Sequence, residues 1–266
     1  MVEKWQLIGG FLIRLGFANE RSAAFVRYTI GDRYVDAKPG VEPDYSLTIE
    51  DGYGESYDEA TPVAYRKNEH GDIEVERADF RLESAADLKD ARLRFYDYFG
   101  LRTGLLNWYS RILARRNWGL VIHSSCIVQD GQAYLFSGYS GAGKSTIASM
   151  SRPRPIMADE TSLVEIRQDG RVLIHDSPFR NDFKEPYPAG PVPLKGIYLI
   201  KQSSNIKQHG MSKSEAMFSL FDKVVFWSFE QSESTEVVRL CRALVDRIPV
   251  YELEFQKNDR FWEAIS

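Results

Sequence analysis

Eight consecutive residues, Gly138-Tyr139-Ser140-Gly141-Ala142-Gly143-Lys144-Ser145, fit the order G-x-x-x-x-G-K-[ST] at every fixed position, and Thr146 follows them. Each fixed position has a chemical reason. Glycines at 138, 141 and 143 allow the backbone to turn so that successive N–H groups, those of Ser140 and Ala142 included, face a phosphate. Lys144 adds a full positive charge for the β and γ phosphates of a nucleotide. Ser145 offers a hydroxyl to Mg²⁺ and Thr146 a second one, at the start of a helix whose dipole favours the same anion. The pattern predicts ATP, or GTP, bound with Mg²⁺.

Phosphoryl transfer also needs a carboxylate for the metal and a group that handles the acceptor's proton. Asp159 and Glu160, which end the apolar run Ile156-Met157-Ala158, are the candidates. With Ser145 they make up the expected metal set. A solvated strand end would carry the same two acids, and it is the preceding loop that favours the chemical reading. Asp159 lies only fourteen residues beyond Ser145, closer than the metal-binding aspartate of most such loops. His123, fifteen residues before Gly138, lies in a stretch that would run beside the loop's strand. Its spacing alone serves a hydrogen-bonded structural histidine as well as a catalytic one. His70 and His209 sit in polar stretches and read as surface residues.

The elements that must position these residues can be read from periodicity. Residues 133–136 form an apolar strand entering the loop, and residues 147–150 a helix leaving it, cut short by Pro153 and Pro155. Residues 120–128 and 132–137 make a hairpin on Asp130-Gly131, and residues 162–167 and 171–175 another on Asp169-Gly170. From residue 195 onward the pattern predicts strand 197–200, helix 214–221, strand 223–229, helix 235–247, strand 250–255 and a short last helix. Upstream, residues 45–81 alternate in short runs broken by Asp51-Gly52 and His70-Gly71, while residues 85–116 suggest two helices interrupted near Gly100 and Gly104. This divides the chain into a β-rich portion, 1–118, ending in helices, and a nucleotide-binding domain, 119–266.

The bulk numbers exclude several classes. A net charge of −4 and a pI near 5.7 leave no clustered cations for a nucleic-acid backbone, so nucleic acid is not expected as a partner. No apolar run approaches the length that spans a bilayer, so no membrane partner is expected either. Cys126 and Cys241 have no second ligand at zinc spacing and read as buried thiols of a cytoplasmic protein.

The run His123-Ser124-Ser125-Cys126-Ile127-Val128, Asp130-Gly131, residues 138–146, and then Met157-Ala158-Asp159-Glu160 resembles the catalytic domain of bacterial HPr kinase/phosphorylase and its standalone relatives. The resemblance covers roughly residues 119–266. It implies an α/β fold: a P-loop core of the HPr kinase and phosphoenolpyruvate carboxykinase type, with a mixed sheet, preceded by the smaller β-rich portion. It further implies a serine-type kinase in which Asp159 is the general base, Glu160 lies near magnesium, His123 is in the active site and Lys144 stabilises the transferred charge. The acceptor would be a protein or peptide hydroxyl. Arg180 is a candidate transition-state arginine. Two other readings stay open: a nucleotide-binding regulatory or scaffold protein without transfer activity, and a kinase of small metabolites.

Overall fold

Alternation of apolar and polar residues dominates the first part of the chain, and it produces strands with one buried face. In β4 (Tyr45–Asp51), for example, Tyr45, Leu47 and Ile49 are buried while the residues between them are half-exposed. The structure is a computed structural model that describes residues 2–31, 34–36, 40–183, 185, 187, 190–227 and 229–265. The chain divides into two compact units, Met1–Ile112 and Leu113–Ser266.

In the first unit β4 joins β1 (Val2–Ile8), β2 (Phe11–Phe17), β3 (Tyr34–Val35), β5 (Ala64–Lys67), β6 (Ile73–Arg77), β7 (Phe80–Ser84) and β8 (Asp90–Phe95) in one sheet, ordered β3-β1-β2-β4-β8-β7-β6-β5. Helix α1 (Glu20–Ile30) starts on Asn19, whose side chain accepts the Ser22 N–H. Where the sequence suggested two helices over residues 85–116, the chain instead forms β8 and then one helix, α2 (Tyr98–Arg115). Gly100 and Gly104 do not break it. They are points of close approach, since a Cβ at Gly100 would lie 2.2 Å from the Asp79 carbonyl oxygen.

The second unit is built on β9 (Gly119–Gln129) and β10 (Gln132–Ser137), joined by a turn with φ 51° at Asp130 and 72° at Gly131. Then follow α3 (Lys144–Met150), β11 (Ile156–Ala158), β12 (Thr161–Ile166), β13 (Val172–His175), β14 (Val192–Gln202), β15 (Lys207–Gly210), α4 (Lys213–Phe221), α5 (Gln231–Arg247), β16 (Val250–Phe255) and α6 (Phe261–Ile265). The strands run β10-β9-β12-β13-β14-β16-β15, and β10 also pairs with β14 in parallel. Five strands, β10-β9-β12-β13-β14, therefore close on themselves as a barrel.

This overturns the expected fold class. The protein is mostly β, with two multi-stranded sheets and few helices, rather than an α/β P-loop core of the HPr kinase and carboxykinase type. The physical reason lies in β9 and β14. Both are eleven-residue strands that change partners along their length, so sheet edges that would stay open in a layered α/β fold find each other. The strand expected over residues 223–229 reduces, among its described residues, to a single bridge between Val224 and Ile122; Ser228 lies outside them. Strand β15, which carries His209, was not anticipated.

Two apolar clusters hold the second unit. One gathers Leu120, Ile122, Cys126 and Leu135 of the barrel with Leu220 of α4 and Leu240 and Leu244 of α5. The other is aromatic, with Tyr134, Phe136, Tyr198, Phe255, Phe261 and Trp262 around Ile147 of α3. It fixes the helix that leaves the glycine loop. Among the described residues no helix is long and apolar enough to cross a membrane.

Candidate functional site

The site forms where β9 changes partners. Residues 119–123 pair with β12 and residues 124–129 with β10. At the junction the His123 N–H donates to the Lys223 carbonyl at 2.8 Å, and the Ser124 N–H donates to the Glu160 carbonyl at 3.1 Å. Consecutive N–H groups of a strand point to opposite edges, so Lys223 and Glu160 flank β9 at one level. Ser137, the last residue of β10, donates its hydroxyl to the His123 carbonyl at 2.7 Å. The glycine loop therefore leaves its strand beside His123.

Within the loop Gly143 has φ 107°, and a Cβ there would lie 2.7 Å from Phe255 Cζ, so both conformation and space demand glycine. Gln202 donates to the Gly141 carbonyl at 3.2 Å. Ser140 and Ser145 are exposed, and Thr146 is half-buried. The Ala142 amide, expected to face a phosphate, donates to the Tyr139 carbonyl at 3.1 Å instead. Lys144 is only 7% exposed and donates to the carbonyls of Gly138 (2.9 Å) and Tyr139 (3.0 Å). Burial lowers its pKa below the ordinary lysine value; the Glu160 carboxylate opposes that shift and the Lys223 ammonium adds to it.

The adjacent acids separate. Asp159, 2% exposed, accepts main-chain N–H groups from Asn181 (3.1 Å), Asp182 (2.7 Å) and Phe183 (3.2 Å). It anchors the segment after β13. Glu160 is half-buried, accepts the Asn181 side-chain amide at 2.8 Å, and has Oε1 3.6 Å from His123 Nδ1. His123 Nδ1 also lies 2.9 Å from the Glu160 carbonyl oxygen. With Nδ1–H donating to that carbonyl, the lone pair of the ring is on Nε2, which can then take a proton.

Arg180 is not placed to reach a substrate. It is 2% exposed, its guanidinium donates to the carbonyls of Ser177, Ile156, Phe183 and Glu185, and it pairs with Asp176. It braces the segment that Asp159 anchors. Among the described residues no three of His, Cys, Asp and Glu gather into a metal-binding group. The Ser145 hydroxyl and the Glu160 carboxylate are oxygen donors, the chemistry that a magnesium ion takes.

A family model described as SynChlorMet cassette protein ScmC matches residues 101–266. The chain belongs to the ScmC family. The matched segment contains the glycine loop, His123, Asp159, Glu160 and Lys223. It also corrects the resemblance to HPr kinase/phosphorylase: the family found is ScmC, and nothing indicates the HPr kinase family. The resemblance rested on four short runs between residues 123 and 160, and such runs recur on unrelated scaffolds. No curated protein matches the chain. Sequence reading also missed two ScmC-segment residues at the site, Lys223 and Asn181. Lys223 opens the stretch expected as a strand, with no motif to mark it, and comes to β9 through the bridge between Val224 and Ile122, while Asn181 lies in a segment without periodicity and reaches the site through its bonds to Asp159 and Glu160.

Proposed function

We propose that the chain is an ATP- or GTP-dependent phosphotransferase acting on a hydroxyl of a protein or peptide. The reading rests on one observation: a buried lysine at the end of a glycine loop, sharing its electrostatic environment with a carboxylate 3.6 Å from the Nδ1 of a histidine. Binding uses the main-chain N–H groups of the loop and the Lys144 ammonium, which can turn from its own carbonyls to a phosphate. Ser145 and Glu160 would hold magnesium, which screens the charge of the phosphates. The acceptor oxygen attacks the terminal phosphorus, the bond to the bridging oxygen breaks, and the nucleoside diphosphate leaves. The proton of the hydroxyl passes to His123 Nε2, with Glu160 stabilising the cation that results. His123 thus takes the part first assigned to Asp159, whose oxygens are occupied by amides.

A cytoplasmic setting fits the nucleotide and the two buried free thiols, Cys126 and Cys241. The net charge of −4 continues to weigh against nucleic acid. The family's description as a cassette protein makes the products encoded with it the first acceptors to try. A second reading, nucleotide binding without transfer, is favoured by the commitment of Asp159 to loop anchoring.

Incubation with γ-labelled ATP and such acceptors separates the readings. Label on a protein or peptide is the expected result. Label on a metabolite would change the acceptor class, and label nowhere would favour the scaffold. His123→Gln is expected to lower transfer by about 100-fold or more while nucleotide affinity stays within a few-fold.

A further inference from the structure

Lys223 lies next to the glycine loop, and main-chain bonds fix it there. Its N–H donates to the Leu220 carbonyl at 2.9 Å, its carbonyl accepts the His123 N–H, and the Val225 N–H after it donates to the Val121 carbonyl at 2.8 Å. The side chain is 7% exposed, although it follows directly on an exposed aspartate. One residue of the loop lies over its end. Lys223 Nζ sits 3.4 Å from the centroid of the Tyr139 ring and 2.8 Å from Asp222 Oδ2, while the Tyr139 hydroxyl donates to the same Asp222 oxygen at 3.0 Å.

Both site lysines therefore meet on one residue: Lys144 on the Tyr139 carbonyl, Lys223 on its ring. Gathering two ammonium groups on one loop is unfavourable unless anions offset the repulsion, and Asp222 supplies the carboxylate bonded to Lys223, while Glu160 acts on Lys144. Tyr139 is 72% exposed, so the cover lies at the surface, where its ring can move with little loss of packing. A polyphosphate offers several negative oxygens to the same cations.

We propose that Lys223 is a second phosphate-binding cation of the site, held against Asp222 under Tyr139 and transferred to the nucleotide's phosphate chain on binding. The proposal rests on the reading that residues 138–145 bind a nucleoside triphosphate. Binding then breaks the Lys223–Asp222 pair and displaces the Tyr139 ring, so Asp222 competes with the ligand.

Calorimetric titration of MgATP into wild-type protein, Lys223→Met, Lys223→Arg and Asp222→Asn tests this, with melting curves as the control for folding. Lys223→Met is expected to weaken binding by about tenfold or more, and Lys223→Arg to stay within about threefold of wild type. Asp222→Asn is expected to tighten binding, which a merely structural lysine would not produce and which does not require Lys223→Met to fold. Unchanged affinity in Lys223→Met, or unchanged or weakened affinity in Asp222→Asn, would overturn the proposal. A wild-type protein that binds no nucleotide would remove the parent reading itself, a result distinct from either of these.

Discussion

Asp159 and Glu160 are adjacent, carry the same functional group and do different work. Between β11 and β12 the chain turns Asp159 inward, where three main-chain N–H groups of residues 181–183 saturate its carboxylate, and leaves Glu160 beside His123. The residue types and their distance from the loop could be read from the sequence. Which acid is committed could not, because that depends on amides more than twenty positions away in a segment without periodicity. Asp159→Asn would set an NH₂ against amide donors in a buried place, at a cost of about 1.5–3 kcal/mol. Melting should fall by several degrees, and the displaced Asn181 should loosen Glu160. An unchanged melting curve would show that the anchor carries little of the fold.

Among the elements, the hairpin turns were the most legible. Asp130 and Gly131 both take positive φ, which that pair favours and few others tolerate. Helix α2 misled because glycine has two uses, breaking helices and admitting close neighbours, and sequence cannot separate them. Gly100→Ala decides between these uses. Helix propensity alone favours alanine by about 1 kcal/mol, but the new Cβ would meet the Asp79 backbone at 2.2 Å. Backbone cannot yield as a flexible side chain can, so the substitution is expected to destabilise the protein by about 1–3 kcal/mol. A stabilised variant in denaturant unfolding would mean that the contact relaxes. The contact of β9 with Lys223 and Val224 is invisible for another reason: it joins residues 122–123 to residues 223–224, across a hundred positions, through main-chain atoms that every residue shares.

For the molecule as a whole, local grammar was a poor guide to architecture. A strand, a glycine loop and a helix do follow in order at residues 132–150, yet they belong to a mostly β protein whose second unit closes a five-strand barrel. The order of elements along a chain does not state which strands pair, and closure through β10 and β14 is a property of pairing alone. The same limit explains the mistaken family resemblance, since the runs that carried it are short local stretches between residues 123 and 160, which do not state how the strands pair. Whether that loop does on this scaffold what its residues predict is settled most directly by calorimetry with ATP and GTP, with and without magnesium, on wild-type protein and on Lys144→Ala. The account predicts magnesium-dependent association with one nucleotide per chain, weakened by about 100-fold or more in the variant. Heat of binding that is absent from the folded wild-type protein, or unchanged in Lys144→Ala, would contradict it.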